Sequence, residues 1–556
     1  MGKGFKKALG LSISFTLLIT FAASSNSDKK VGAQNQSRAK NVIMMIPDGM
    51  SVEASTLARW YNGGQPLAMD EIAVGQVKTY WNQGPITDSA PAGTAYATGH
   101  KSDDSHVGTA PAAENDRPLA TILEAAKGKG KATGIVVTCE AMHATPADFT
   151  AHDGNRSNYN SLMTQQVFNG LDVVLGGGDK YFSETKAYDG KTLKEKITSL
   201  GYEYITTRDE MMKSNSNKLW GMFADVAMRY ELDRTASKDS REPSLEEMTK
   251  KAISTLNKDK DGFFLMVEGS KIDWAAHAND PSGLASDIIA FDKAVKATLD
   301  FAKADGNTVV VVASDHGTGG VTIGSSAVSK YSAVKFQDST DKMKNSKATV
   351  EYIESLTWDE KGKCRIQEDN KIKEAMALYG VIDLSANEIS VVKNAAKGNL
   401  GLVIAPMLST RANVGWVYTG HVGGDVALYM YAPAGVESLE GVVDNTEVGK
   451  YMARVLGVDV DETTKSLFVN AKEAFEALGA SVELTVPQKD TPILKVVKGE
   501  KTLLIPGFTN IVNLNGTEYK VDGVTVCNST YDSQKKVNVY DLSKIYVSQQ
   551  VINMLK

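Results

Sequence analysis

Four apolar runs, each breaking off into residues that can bind a metal or move a proton, constrain this sequence more than any other feature. They are "NVIMMIPDGMS" (41–51), reaching Asp48; "GIVVTCEAMHATPADF" (134–149), reaching His143 and Thr145; "GFFLMVEGSKID" (262–273), reaching Glu268; and "NTVVVVASDHGTGG" (307–320), reaching Asp315-His316. Unbroken apolar runs of this length suit strands buried on both faces of a parallel sheet. Helical patterns lie between them. Over 280–306, Leu284, Ile288, Phe291, Val295, Leu299 and Ala302 recur at three- and four-residue steps, opened by Asp280-Pro281 and closed by Gly306. A second helix is expected over 243–256, and a last strand (427–435) and helix (446–457) complete the region. Strands alternating with helices predict an α/β fold, a doubly wound, mostly parallel sheet sandwiched by helices. Chemistry in such sheets collects beyond the carboxyl ends of the strands, where these polar residues fall. Residues 157–235 and 325–398 interrupt the alternation and are read as insertions over the sheet.

Both ends of the chain differ in character. "MGKGFKK" is basic, "ALGLSISFTLLITFAA" is apolar, and small polar residues follow. That order reads as a secretory signal peptide with a flexible leader over 1–33, cleaved after Ala23 or Ala33. The apolar run is short for a membrane span, so no stable span is expected after cleavage, and the destination is outside the cytoplasm: secreted, extracellular, cell envelope or periplasm. From residue 464 to 556, short β-runs surround an Asn515-Gly516 hairpin signal, and "LFVNAKEAFEAL" resembles "IYVSQQVINML". This predicts a small β-rich α+β domain with no evident catalytic group, following a large domain over 40–462. It resembles the small extracellular domain first named from the copper amine oxidase N-terminus, without implying copper. A binding or cell-envelope attachment role is the expectation for it.

Composition removes several classes. The net charge is -6, with no basic stripe, which speaks against nucleic-acid-specific binding. Cys139, Cys364 and Cys527 are the three cysteines, enough for one disulfide of undetermined pairing and without zinc-site spacing. A metal would therefore be held by His, Asp and Glu.

The stretch "TDSAPAGTAYATG" (87–99) places Ser89 at a helix start, where free N–H groups and the positive dipole end suit an anion. By itself this is also what a plain serine cap on an alanine-rich core helix looks like. Among seven histidines, three sit in settings that suit ligation: His277 four residues after Asp273, His316 beside Asp315, and His421 in a glycine-rich loop. Mixed imidazole and carboxylate donors suit zinc.

Taken together, "PDGMS" (47–51), "TDSAPAGTAYATG" (87–99), "HATPADFTAHDGNR" (143–156), "VEGSKIDWAAH" (267–277), "SDHGTGG" (314–320) and "TGHVGGD" (419–425) resemble the alkaline phosphatase family, in family order, over 41 to about 460. The resemblance implies hydrolysis of small-molecule phosphate monoesters through a phosphoserine intermediate, with two zinc ions and one magnesium. Ser89 would be the nucleophile. Asp48, Asp315 and His316 would hold one zinc, which also meets Ser89; Asp273, His277 and His421 would hold the second. Asp48, Thr145 and Glu268 would hold magnesium. Arg156 would clamp phosphate in a planar fork. His143 and Trp274 stand where some members carry Asp and Lys, so His143 is expected to ligate a metal or hold a water, and Trp274 to bind phosphate less well than Lys. The family also leaves room for a homodimer. Rival readings are a sulfatase, phosphodiesterase or phosphomutase of the same superfamily, or a non-catalytic binding module; Ser89, Arg156 and the Thr145/Glu268 pair argue against them. His100, His106 and His152 are expected to be structural.

Overall fold

The strand Asn41–Ile46 sits near the middle of a ten-stranded sheet and pairs in parallel with Phe263–Glu268 on one side and Thr308–Ala313 on the other. All three are buried along their whole length, which is why they read as unbroken apolar runs. Ile46 pairs with Glu268 and Met45 with Val312. This register lines up the three carboxyl ends, and with them Asp48, Glu268 and Asp315. The computed structural model describes residues 38–239, 241–326, 328–357, 366–395, 400–488, 491–535 and 537–556. The expected signal peptide and leader over 1–33, and Cys364, lie outside the described residues.

The sheet runs Gly441–Asp444, Ala73–Lys78, Val426–Tyr431, Thr308–Ala313, Asn41–Ile46, Phe263–Glu268, Ala132–Glu140, Val173–Gly177, Leu219–Met222, Glu203–Ile205. Neighbours are parallel except around Val426–Tyr431, which is antiparallel to both of its own. Helices cover both faces. The helix Pro281–Asp305 begins with the Asp280 carboxylate accepting the Ser282 and Gly283 N–H groups and ends on Gly306 at φ 69°, a left-handed cap that suits glycine. Ser244 and Glu247 form a reciprocal capping box at the start of Leu245–Leu256.

One expectation is corrected. Residues 157–235 are not an insertion lying over the sheet: they contribute the strands Val173–Gly177, Glu203–Ile205 and Leu219–Met222 and extend the sheet at one edge. The second interruption is helical. Val350–Thr357, Asp369–Leu378, Ala386–Asn394 and Leu400–Arg411 share a core of their own built on Ile353, Met376, Ile389 and Leu408. Asp280 ties it to the main helix layer by accepting from Val350 N–H at 3.0 Å and the Tyr379 hydroxyl at 3.2 Å.

The C-terminal region is β-rich. A five-stranded antiparallel sheet covers Ser481–Lys520, and a three-stranded one joins Val469–Asn470, Val537–Val547 and Val526–Asp532. The two similar sequence segments pair with each other, Val469 opposite Val547 and Asn470 opposite Tyr546, and each runs on into a short helix. Phe475, Leu494, Leu503, Ile505 and Ile545 form its own core, whereas Phe468, Val526 and Tyr546 pack into the main one. Cys139 and Cys527 are buried free thiols. Among the described residues no helix is long and apolar enough to cross a membrane.

Candidate active site

Ten of the twelve sequence-nominated residues gather beyond the carboxyl ends of the central strands as carboxylates, imidazoles and hydroxyls, with Arg156 and Trp274 at the rim. Asp48, Asp315 and His316 bring ligand atoms within 4.8 Å of one another, and so do Asp273, His316 and His421. His316 thus belongs to both sets, where the sequence assigned it to one. His277 joins the second set through its Nε2, 3.2 Å from Asp273 Oδ2 and 3.2 Å from His421 Nε2. Thr145 Oγ1 lies 3.5 Å from Asp48 Oδ2, and Glu268 is buried at the end of the neighbouring strand.

Charge explains why such a cluster needs cations. Asp48 Oδ1, Asp315 Oδ2 and Glu268 Oε1 are buried without a hydrogen-bond partner, and among the described residues no Lys or Arg pairs with these three carboxylates. Burial, then the charges of Asp315, Asp273 and Glu268, push Asp48 far above the usual carboxylate range. Burial likewise pushes Glu268 up to about 8. An uncompensated buried charge is costly, and divalent cations answer all three orphaned oxygens at once.

The imidazoles are oriented for the same task. His277 Nδ1 is 2.5 Å from the Thr419 carbonyl and His421 Nδ1 is 2.7 Å from the Thr87 carbonyl. A carbonyl only accepts, so each Nδ1 carries the proton and Nε2 turns inward as the ligating atom. The Thr318 hydroxyl lies 3.2 Å from His316 Nδ1 and donates to Asp273 Oδ1 at 2.6 Å, linking the two sets. Burial would push His277 down, but the Asp273 carboxylate holds it up at about 9; the same pairing outweighs burial at Asp273 and keeps it below the usual range.

Ser89 opens the buried helix Ser89–Thr98, and its Oγ is 3.1 Å from His316 Nε2. Asp88, not Ser89, takes the N-cap position, and its carboxylate makes no cap bond. Instead both Asp88 oxygens accept from Arg156 Nη1 at 2.6 Å. Arg156 Nη2 lies 3.2 Å from His143 Nε2, so that nitrogen faces the guanidinium and not the carboxylate sets. Burial, reinforced by Arg156, drives His143 down to about 3, and it stays neutral. The His143 ring meets Trp274 edge-on at 5.8 Å. Lys271, 2% exposed, stands over that indole, with Nζ 4.0 Å from the Trp274 ring and 4.5 Å from the Tyr230 ring. The site can therefore hold two or more divalent cations against a buried hydroxyl, with a fixed guanidinium beside it. That arrangement suits transfer of a phosphoryl group to the hydroxyl.

Sequence reasoning missed Asp88, Lys271 and Thr318. Asp88 had a signal, its place next to Ser89 at a helix start. Lys271 and Thr318 lie within the quoted motifs, but only the folded chain reveals their partners.

Comparison with known proteins points the same way. The family model described as alkaline phosphatase matches residues 39–458. Alkaline phosphatase 3 of Bacillus subtilis is 37% identical over 488 residues, spanning 83% of this chain and 99% of that protein. Among solved structures, Thermus thermophilus alkaline phosphatase is similar with TM-score 0.69 at 28% identity, covering 79% of this chain and 98% of its own. A cold-active enzyme of the same kind from Shewanella sp. is similar with TM-score 0.65 at 30% identity, over 75% of this chain and 99% of its own.

Proposed function

The chain belongs to the alkaline phosphatase family, an enzyme family that hydrolyses phosphate monoesters with bound metals, and from that premise we propose a phosphoserine mechanism at Ser89. The observation that carries it is the placement of Ser89 Oγ 3.1 Å from His316 Nε2, the residue common to both carboxylate–imidazole sets. Asp48, Asp315 and His316 would hold one zinc, and Asp273, His277 and His421 a second. Asp48, Thr145 and Glu268 would hold magnesium. These cations supply Lewis-acid stabilisation of the seryl and leaving oxygens when bound.

Arg156, fixed by Asp88, receives two phosphate oxygens in its fork and sets the phosphorus in line with Ser89 Oγ. The Oγ–P bond forms as the P–O bond to the alcohol breaks, and the proton lost from Ser89 is matched by one taken up from solvent by the departing alkoxide, leaving phosphoserine and the alcohol. Water then attacks the same phosphorus, the Oγ–P bond breaks, inorganic phosphate departs, and a proton given up by that water restores the Ser89 hydroxyl. His143 keeps Arg156 from swinging away, being neutral and 3.2 Å from Nη2. Its role is to orient the guanidinium in place of ligating a metal.

The leader over 1–33, basic then apolar, supports export from the cytoplasm with cleavage after Ala23 or Ala33. N-terminal sequencing of the exported protein decides between these points.

The test of the reaction is hydrolysis of a chromogenic phosphate monoester by the mature protein as isolated, after chelation, and after zinc and magnesium are restored. Activity should vanish and return, and Ser89→Ala should lose roughly a thousandfold or more while keeping its metals. Phosphate trapped on Ser89 in acid-quenched protein would identify the intermediate. Failure of the metal-loaded protein on monoesters, with turnover of diesters or sulfate esters, would overturn the assignment.

A further inference from the structure

The family match ends at residue 458, and the C-terminal region beyond it grips two loops beside the phosphate-binding arginine. Lys544 Nζ donates to Asp116 Oδ2. His106 Nε2 lies 2.9 Å from the other Asp116 oxygen. Buried Asn528 donates through Nδ2 to the Asp116 carbonyl at 2.5 Å. The His106 hydrogen bond outweighs burial and, with Lys544, holds the Asp116 carboxyl below the usual range. Asp116 itself stands at φ 50°, a conformation that a non-glycine residue keeps only when its surroundings enforce it.

The second loop meets the C-terminal region directly. Asn158 Nδ2 lies 3.3 Å from Ser529 Oγ in the C-terminal region and donates to Asp153 at 2.9 Å. The ring of His152 meets Phe468 at 4.6 Å. The two loops are stitched together: Val107 and Asp153 exchange both backbone hydrogen bonds at 2.9 Å, and the Arg156 N–H donates to the Ser105 carbonyl at 2.8 Å. The backbone of Arg156 therefore hangs from Ser105, the residue next to His106, and His106 is itself two hydrogen bonds from Lys544 through Asp116.

We propose that the C-terminal region positions Arg156, with Lys544, Asn528 and Ser529 holding the loop pair at the height where the guanidinium meets Asp88 and the phosphate. The proposal rests on the reading of Arg156 as the phosphate clamp. Lys544 and Ser529 touch neither the nucleophile nor the carboxylate–imidazole sets. Their loss therefore shifts the guanidinium without disturbing Ser89, and a small misplacement of a binding group weakens every state that it holds.

The experiment compares Lys544→Met, Ser529→Ala and the double variant with the parent in full-length, metal-loaded protein. KM for a chromogenic phosphate monoester and the inhibition constant of inorganic phosphate rise roughly three- to thirtyfold in the double variant, while kcat changes little. Lys544→Arg, which keeps the charge, restores the parent values. Melting temperature and metal content are read on the same samples. Folded, metal-loaded variants with unchanged KM and phosphate inhibition overturn the proposal, and so does a loss of kcat that tracks loss of metal. Arg156→Ala is measured alongside. If it weakens phosphate inhibition while the brace variants do not, only the brace fails; if it leaves inhibition unchanged, the reading of Arg156 fails and the proposal falls with it.

Discussion

Arg156 leans on Asp88, its Nη1 2.6 Å from both carboxylate oxygens, in the residue immediately before Ser89. Ser89, the proposed nucleophile, and Arg156, the proposed phosphate fork, are thereby fixed to one helix start. Asp88→Ala should release the guanidinium and raise both KM and the phosphate inhibition constant by roughly tenfold, the cost of one charged hydrogen bond. Steady-state kinetics with phosphate as inhibitor checks this. Parent-like inhibition would mean that Arg156 needs no tether.

Much of the site was legible because burial writes itself into the sequence. Asp48 and Asp315 each follow a fully buried strand and Glu268 ends one, so an apolar run announces where the polar cluster begins. Short strands leave no such trace. Glu203–Ile205 has three residues and Leu219–Met222 four, and among Gly- and Lys-rich turns they read as an insertion instead of the sheet edge. Residues that act through distant partners were also hidden. Lys271 meets Trp274 three residues on but also Tyr230, while Lys544 reaches Asp116 across the whole chain. No local pattern encodes such a meeting.

Chelation should lower the melting temperature by a few degrees, because cations that bind only the folded cluster stabilise it by mass action. A sharper consequence concerns Asp48, crowded by Asp315, Asp273 and Glu268. Asp48→Asn should be inactive, yet once chelated it should be more stable than the chelated parent by about 1–3 kcal/mol, since it removes a carboxylate that the fold must either bury charged or force to take up a proton. Calorimetry on both proteins with and without chelator decides; a chelated variant that melts below the chelated parent would refute the repulsion argument.

The Trp274 ring meets His143 edge-on and lies beneath the Lys271 ammonium. Trp274→Lys should tighten phosphate inhibition by adding a cation near the fork. It should also cost about 2 kcal/mol of stability, because Lys271 loses its aromatic cover and gains a like charge. The paired readout is phosphate inhibition against urea denaturation. A variant that binds phosphate no better would place the new ammonium away from the site.

Gly49 stands at φ 73°, and a Cβ there would lie 2.7 Å from Asp273 Oδ1 and 2.8 Å from its Cα. The residue after Asp48 is thus glycine both for its left-handed backbone and for the close approach of the second carboxylate set. Gly49→Ala should push Asp273 aside, lowering metal content and cutting kcat/KM by at least roughly a hundredfold. Elemental analysis after dialysis measures the loss, and full metal occupancy in the variant would contradict it.

The brace at Asp116 carries its own pH signature. Burial would push His106 down, but its bond to Asp116, the Asp104 carbonyl and the charges of Asp116 and Asp103 hold it above its ordinary value. A group whose folded pKa is raised contributes stability that is complete below its unfolded pKa, about 6.5, and is lost as pH rises through the folded value. Asp116, held low by His106 and Lys544, contributes in the opposite sense: fully above its unfolded pKa of about 3.8 and less as pH falls through the folded one. The pair therefore braces the C-terminal region most firmly between about pH 4 and 6.5. His106→Gln retains a hydrogen-bonding side chain without the charge. Its melting temperature should fall below the parent's at about pH 5.5 and converge with it in alkaline solution, where His106 is neutral in both states. Melting curves of the two proteins across that range make the comparison. A deficit that stays constant with pH would show that His106 holds Asp116 as a neutral donor, and the brace would then carry no pH signature of its own.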